Sequence, residues 1–318
     1  MSLSNQVRTL GRGPGRSRSL TQAESYDAMR EMLSGTAAPE AIGALLMLLR
    51  MKGETAPEIA GLALGAQAAL PPLPRVDLDW PSYAAGRTRG LPWFLLSARL
   101  VAQAGHRVLI HGWNGTDGAV RGGLAAAGIR QADGPQEVAS VLDRDGIAYL
   151  PLETLMPPLF DLLSLRAVLG LRSCINTVCR MLNPGQASAS VQGVFHPSYR
   201  LLQADAAALM GWHGLSVIKG GGGEFERHPA KSATAFGLRG GAAWDETLPA
   251  QRSETRQLDD GSRDPAALSA LWNAADTDPF AQAIVISTAA LALDTLGHTD
   301  CEQDAQRLWL DRGTLIAA

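Results

Sequence analysis

The chain has 318 residues, 46% hydrophobic and 19% charged, which excludes a disordered or fibrous polymer and leaves room for a substantial core. Its formal charge of −3 says little about partners, which have to be read from where the charges lie. Cys174, Cys179 and Cys301 form no CxxC pair and no even framework, so a reducing, cytoplasmic location is expected.

The N-terminus, "MSLSNQVRTLGRGPG", has no apolar signal region, and the apolar run Ala41–Leu49 is too short to span a bilayer, so no membrane partner is expected. Thr21 and Glu24 form a capping box before a helix that stops at Gly35. Pro39 opens the next helix, "PEAIGALLMLLRMKG", closed by Gly53. Thr55 and Glu58 then cap a third helix that reaches Leu70, and "LPPLP" (70–74) reads as a linker. Residues 1–74 are therefore expected to form a small helical domain.

After the linker, short apolar strands alternate with helices. "HRVLIHG", "GIAYLP", "SASVQGVF" and "GLSVIKG" read as buried strands, which predicts a larger α/β domain over 75–318 with a mostly parallel sheet. The helical stretch 155–182 is too long for one crossover and predicts an excursion back to the helical domain (about 155–185). Residues 228–263 carry few periodic signals and read as irregular, with an edge hairpin as an option. Asp264-Pro265, Asp278-Pro279 and Asp300 mark later helix starts.

Three segments lack acids while holding arginine. The first, 1–23, has Arg8, Arg12, Arg16 and Arg18; the second, 80–116, has Arg87, Arg89, Arg99 and Arg107; the third, 162–204, has Arg166, Arg172, Arg180 and Arg200. From Asp245 onward thirteen acids face five arginines. Converging basic windows would make a face for polyanions; the plainer alternative is three partly buried segments poor in any charge. "SYAAGRTRGLPW" (82–93) raises the question most sharply, because a glycine-bearing turn from strand to helix favours phosphate, and this one holds Arg87 and Arg89. "VIKGGGGEFERHP" (217–229) reads either as an anion or metal loop, with Glu224 and Glu226 as ligands, or as a flexible turn. The histidines form no metal constellation, and His111 reads best as a structural residue. No nucleophile motif is present, so no catalytic residue and no metal ligand set is assigned. Of the two tryptophans flanking the second window, Trp93 reads as core, and Trp113 as core or a stacking surface.

"LLRMKGETAPEIAGL" (48–62), "HGWNG", "LRAVLGLRSCINTVCRMLNP" (165–184) and "GVFHPSY" together resemble the anthranilate phosphoribosyltransferase-like family, the class IV phosphoribosyltransferases of glycosyltransferase family 3. The resemblance implies that fold, a homodimer through the N-terminal helices, and a residual pocket at His111, Arg166, Lys219, Gly222 and Glu226. The departures fall at the chemistry. "YAAGRTRGLPWFLLS" stands where the enzymes carry a Gly-Thr-Gly-Gly-Asp loop for phosphoribosyl pyrophosphate, Trp113 stands for an Asn, Met156-Pro157 for a His-Pro, and Phe225-Glu226 for a magnesium-holding Asp-Glu pair. The opening "LGRGPGRSRSLT", the Arg87 loop, "HGW" and "KGGGGEFERHP" look like the YbiB subfamily, homologues without the catalytic signature that bind nucleic acid without sequence preference. That resemblance implies sequence-independent binding of DNA or RNA by Arg87, Arg89, Arg8, Arg12, Arg16 and Arg18, with no cofactor. The alternative is a glycosyl or phosphoribosyl transferase acting on a phosphorylated sugar or nucleotide, for which magnesium would be required. An acidic-tailed protein-interaction module is a third option.

Overall fold

The computed structural model describes residues 3–84, 90–115, 117–254 and 256–313. Four helices open the chain: α1 (Ser4–Gly11), α2 (Gln22–Leu33), α3 (Pro39–Lys52) and α4 (Ala56–Gln67). Both expected capping boxes are present; Thr21 N donates to Glu24 Oε2 and Thr55 N to Glu58 Oε2, each at 2.8 Å. The helix α4 stops short of Leu70. It lies so close to α2 that a Cβ at Gly61 would collide with the Gln22 carbonyl, so glycine is required by the close approach of the two backbones. Glu58 is fully buried, and its carboxylate also accepts from Leu20 N (2.9 Å) and Lys52 Nζ (2.8 Å). That single group ties the arginine-bearing segment before α2 to the α3–α4 turn.

The α/β part follows in the order β1 (Leu78–Ser82), α5 (Phe94–Gln103), β2 (Val108–Gly112), α6 (Ala119–Leu124), β3 (Arg130–Gln131), α7 (Val138–Asp145) and β4 (Ile147–Pro151). The chain then leaves the sheet through α8 (Leu152–Leu155), α9 (Pro157–Ser164), α10 (Arg166–Leu169) and α11 (Ile175–Arg180). It returns through β5 (Ala189–Val194), α12 (Ser198–Leu209), β6 (Gly214–Lys219), β7 (Ala233–Arg239) and β8 (Ala242–Leu248), and ends in α13 (Ala266–Trp272), α14 (Pro279–Thr295) and α15 (Cys301–Asp311). The sheet has the order β3-β4-β2-β1-β5-β6-β7-β8. Six strands run parallel, and β7–β8 is an antiparallel hairpin at one edge. The hairpin falls inside the stretch that lacked periodicity because its outer strand is mostly exposed and shows no buried alternation.

Alternation along the strands divides the core in two. Leu78, Trp80, Val108, Ile110, Tyr149 and Val191 face α5 and α14. Leu109, Leu150 and Val217 face the opposite way, in one cluster with Leu159, Ile175 and Val178 of the excursion and Leu45, Leu49 and Leu62 of the N-terminal helices. The stretch 155–182 therefore does pack with the helical domain. Burying each such leucine or valine contributes about 1.5–3 kcal/mol, so the shared cluster fixes the helical part to the sheet.

At the amino ends of the strands, His106 Nε2 and His298 Nε2 lie 2.9 Å apart, with Asp77 beside the first ring and Asp304 Oδ2 3.5 Å from the Nδ1 of the second. Burial, then the His298 charge, lowers the His106 pKa from its ordinary 6.5 against the pull of Asp77, and burial lowers His228 in the same direction. The unfolded chain thus takes up protons that the folded chain refuses. Stability is expected to be complete above about pH 6.5 and to fall as the pH drops towards the folded pKa values. Urea midpoints at neutral and mildly acidic pH check this, and His106→Gln should flatten the slope.

Candidate ligand crevice

In an open parallel sheet, ligands lie beyond the carboxyl ends of the strands, in the crevice where the strand order reverses. Here the reversal falls between β1, from which the chain proceeds to β2 and β4, and β5, from which it proceeds to β6 on the other side. The four-glycine turn after β6 lies across this crevice. A Cβ at Gly223 would come within 3.8 Å of Ala84 Cβ at the β1 exit and 3.5 Å of Phe195 N at the β5 exit, and Gly223 has φ +94°. Glycine is needed there for its backbone conformation.

The turn brings two carboxylates into the crevice, and both are consumed by the chain itself. Glu224 Oε1 accepts from Ala84 N and Asn114 Nδ2, each at 3.0 Å. Glu226 Oε2 accepts from Phe94 N at 2.9 Å. The two residues are 0% and 2% exposed. Phe94 is the first residue of α5, so Glu226 occupies a helix N-terminus, where unsatisfied N–H groups and the helix dipole would otherwise attract phosphate. Phe225, between them, is buried edge-on against Trp80 with ring centroids 5.4 Å apart.

A polar network underlies the β1 exit. Gln192 Nε2 donates to the Arg180 carbonyl (2.9 Å), Ser190 Oγ donates to Asp79 Oδ2 (2.7 Å), Asp79 Oδ1 lies 3.1 Å from His111 Nε2, and His111 Nδ1 meets the Tyr83 hydroxyl at 2.8 Å. His111 Nε2 and Asp79 Oδ1 are close without forming an aligned hydrogen bond, so the ring is held through Nδ1 and the Tyr83 hydroxyl. Burial pushes the Tyr83 pKa well above its ordinary value, which keeps the phenol a donor. Arg180, buried on α11, donates from Nη2 to the Tyr83 carbonyl (2.9 Å) and from Nε to the Gly193 carbonyl (3.0 Å). Asn176 Nδ2 donates to the same Tyr83 carbonyl at 3.2 Å.

Of the residues expected to line a residual pocket, His111 is fully buried within the network and Glu226 is buried against α5. Lys219 is exposed at the end of β6, Gly222 is half-buried in the turn, and Arg166 is exposed at the start of α10. Arg87 and Arg89 lie outside the described residues. Arg8, Arg12 and Arg16 are exposed, whereas Arg18 is bound bidentately to Glu24 (2.6 and 2.7 Å), which holds that carboxyl down to about 2. The second and third basic windows do not converge as wholes. Arg99 bonds the Ala127 carbonyl and stacks on Trp272, Arg107 pairs with Asp143, and Arg200 bonds the Thr234 carbonyl and stacks on Phe236. Trp93 is core as expected, and Trp113 is half-buried with its ring edge-on to Phe160. Sequence reasoning missed Phe195, which sits 37% exposed just beyond β5; it reads as the last residue of an apolar strand, and nothing local shows that the strand ends at Val194.

The magnesium implied by the transferase resemblance does not fit these residues. Both carboxylates hold backbone N–H groups, Phe225 stands where the Asp of the expected Asp-Glu pair would be, and among the described residues no three His, Cys, Asp or Glu side chains come close enough to share an ion. Glu224 Oε2 is buried with no hydrogen-bond partner, but one oxygen does not make a magnesium site. No helix among the described residues is long and apolar enough to cross a membrane.

Residues 7–69 match the helical bundle domain of the glycosyl transferase family. Over 303 residues the chain is 31% identical to anthranilate phosphoribosyltransferase 2 of Streptomyces coelicolor, covering 92% of this chain and 90% of that one. It is 27% identical over 281 residues to the anthranilate phosphoribosyltransferase of Thermus thermophilus, covering 85% and 84%. A crystal structure of the Thermus thermophilus anthranilate phosphoribosyltransferase superposes with a TM-score of 0.78 over 100% of both chains at 23% identity. The Saccharomyces cerevisiae enzyme in complex with phosphoribosyl pyrophosphate and magnesium superposes with a TM-score of 0.77, over 98% of this chain and 94% of that one, at 16% identity.

Glu226→Leu leaves the Phe94 N–H buried without its acceptor and is expected to destabilise the fold by about 1–3 kcal/mol, whereas Glu226→Gln keeps an oxygen there and costs less. Urea unfolding of both variants checks the order. Millimolar magnesium is expected to leave the wild-type midpoint unchanged.

Proposed function

Because the chain belongs to the anthranilate phosphoribosyltransferase family, we propose that it keeps that fold, fills the ligand crevice from within, and binds a phosphate polymer, DNA or RNA, without sequence preference. The single observation that carries this reading is the internal use of the two carboxylates. With Glu226 on the α5 N-terminus and Glu224 on the β1 exit, a small pyrophosphate would have to displace built-in anions and would find no carboxylate cluster among the described residues to share its magnesium. Exposed cations are available to such a polymer: Lys219 at the crevice edge and Arg8, Arg12 and Arg16 on the helical part, with Arg87 and Arg89 following Ala84 in the sequence. Arginine suits this work because its planar fork binds phosphate oxygens in pairs and stays charged. A polymer gains by touching several such residues at once, and needs no deep pocket.

The proposal includes a homodimer through the N-terminal helices. Met51 on α3 and Val168 on α10 are 80% and 82% exposed, and Gly43 of α3 lies against Leu169 of α10, so the two helices present apolar surface on one side of the molecule. Sedimentation is expected to show a dimer that Met51→Asp/Val168→Asp converts to monomer.

A second reading, transfer of a phosphoribosyl group, is favoured by the relatives, which are anthranilate phosphoribosyltransferases, and by the yeast structure that holds phosphoribosyl pyrophosphate and magnesium. The two separate in one pair of measurements. Under the polymer reading, gel shifts with single- and double-stranded DNA and RNA show log K falling against log salt by roughly 0.7–0.9 per phosphate contact, and Arg87→Ala/Arg89→Ala lowers that slope by roughly 1.4–1.8. Calorimetry with phosphoribosyl pyrophosphate and magnesium then shows no heat of binding. Heat of binding with no gel shift would reverse the assignment.

A further inference from the structure

Phe195 is the one exposed phenylalanine of the six in the chain, at 37%, while Phe94, Phe225 and Phe280 are at or below 2%. An exposed apolar side chain is ordinary on any surface, so its exposure alone says nothing. Its position is informative. It follows directly on Val194, the last residue of β5, beside the glycine turn, and so stands at the point where the strand order reverses. Val194 pairs in register with Lys219, which puts an exposed ammonium with no acidic partner among the described residues at the end of the neighbouring strand. His196, also exposed, meets the Phe195 ring edge-on, with centroids 5.0 Å apart and planes at 85°. Arg200, the nearest arginine along the chain, is committed elsewhere through Thr234 and Phe236, so among the described residues Lys219 is the cation of this cluster.

A flat apolar ring, an imidazole set against its edge and an ammonium one strand away are the elements with which proteins hold an unpaired nucleotide. The base lies on the ring and the cation meets the phosphate beside it. In a duplex both faces of a base are already stacked on neighbours, so such a surface has nothing to offer a paired base. We propose that Phe195, with His196 and Lys219, is a stacking platform for unpaired bases, which gives single strands an advantage at this site. The inference rests on the polymer-binding reading above and names the part of the polymer that the crevice touches.

The test uses a fluorescein-labelled oligothymidylate, the same backbone with abasic sites throughout, and a duplex of equal length, measured by anisotropy at fixed salt. The wild-type protein should bind the thymidylate more tightly than the abasic strand. Phe195→Ala should weaken the thymidylate by about 5- to 100-fold and leave the abasic strand and the duplex unchanged, while Phe195→Trp should retain the preference. Because the ring is exposed, the thermal midpoint of Phe195→Ala should match the wild type. If Phe195→Ala weakens all three probes equally, or none of them, the platform is overturned while polymer binding stands. If the wild-type protein binds none of the three, the underlying reading fails instead.

Discussion

The N–H groups at the carboxyl end of β1 and at the start of α5 need an anion, and this chain supplies its own. Backbone donors in a dry crevice are costly to leave unmade, so some acceptor has to be there. Glu224 and Glu226, two residues apart on one turn, take the donors on either side of the segment between Ala84 and Phe94. Once they do, much else is determined. The side chain between them must point away from both, into the apolar face of the sheet, and Phe225 does so against Trp80. An acid at that position would be buried beside the Trp80 ring with nothing to solvate it. The phenylalanine at 225 is therefore coupled to the hydrogen bonds of the carboxylates on either side of it.

The same logic joins the helical excursion to the sheet. Apolar packing holds α11 near the strands, but does not by itself say where along them it should sit. Arg180 supplies that information, because its guanidinium must find carbonyls, and it finds those of Tyr83, Gly193 and Asn176. Burial lowers the Arg180 pKa, the charge of Glu224 opposes that shift, and the two buried charges support one another. Tyr83 is fixed at both ends, its carbonyl by α11 and its hydroxyl by His111. A substitution at any member leaves another buried group unsatisfied, so the network acts as a unit.

Local signals are legible in the sequence. Capping boxes at Thr21 and Thr55, the Pro39 start and the alternating strands depend on neighbours a few residues away, and the helices and strands form where those signals lie. The parts that are not legible depend on partners more than a hundred residues distant. Glu224 finds Ala84 and Asn114, Glu226 finds Phe94, and Asp79 finds Ser190. No spacing rule reports such pairs. The arginine windows meet the same limit: a run without acids looks like one basic surface, yet the fold sends Arg99, Arg107, Arg180 and Arg200 to separate places. The two-residue strand β3 has no pattern long enough to register.

A net charge of −3 does not oppose a polyanion surface, provided the acids are cancelled locally. In the acid-rich C-terminal part six of the thirteen acids stand in such pairs. Arg256 spans Asp260 and Asp278, Arg239 spans Glu246 and Asp294, and Arg263 and Arg307 pair with Asp259 and Asp304. A paired charge presents a dipole whose field dies away faster than that of a lone ion, and salt screens what remains beyond about 8 Å at physiological strength. Lys219, Arg12 and Arg16 have no such partners among the described residues, so their fields reach solvent undiminished. The field near the crevice and on the helical part is therefore set locally by these cations, and the total charge of the chain is a poor guide to it.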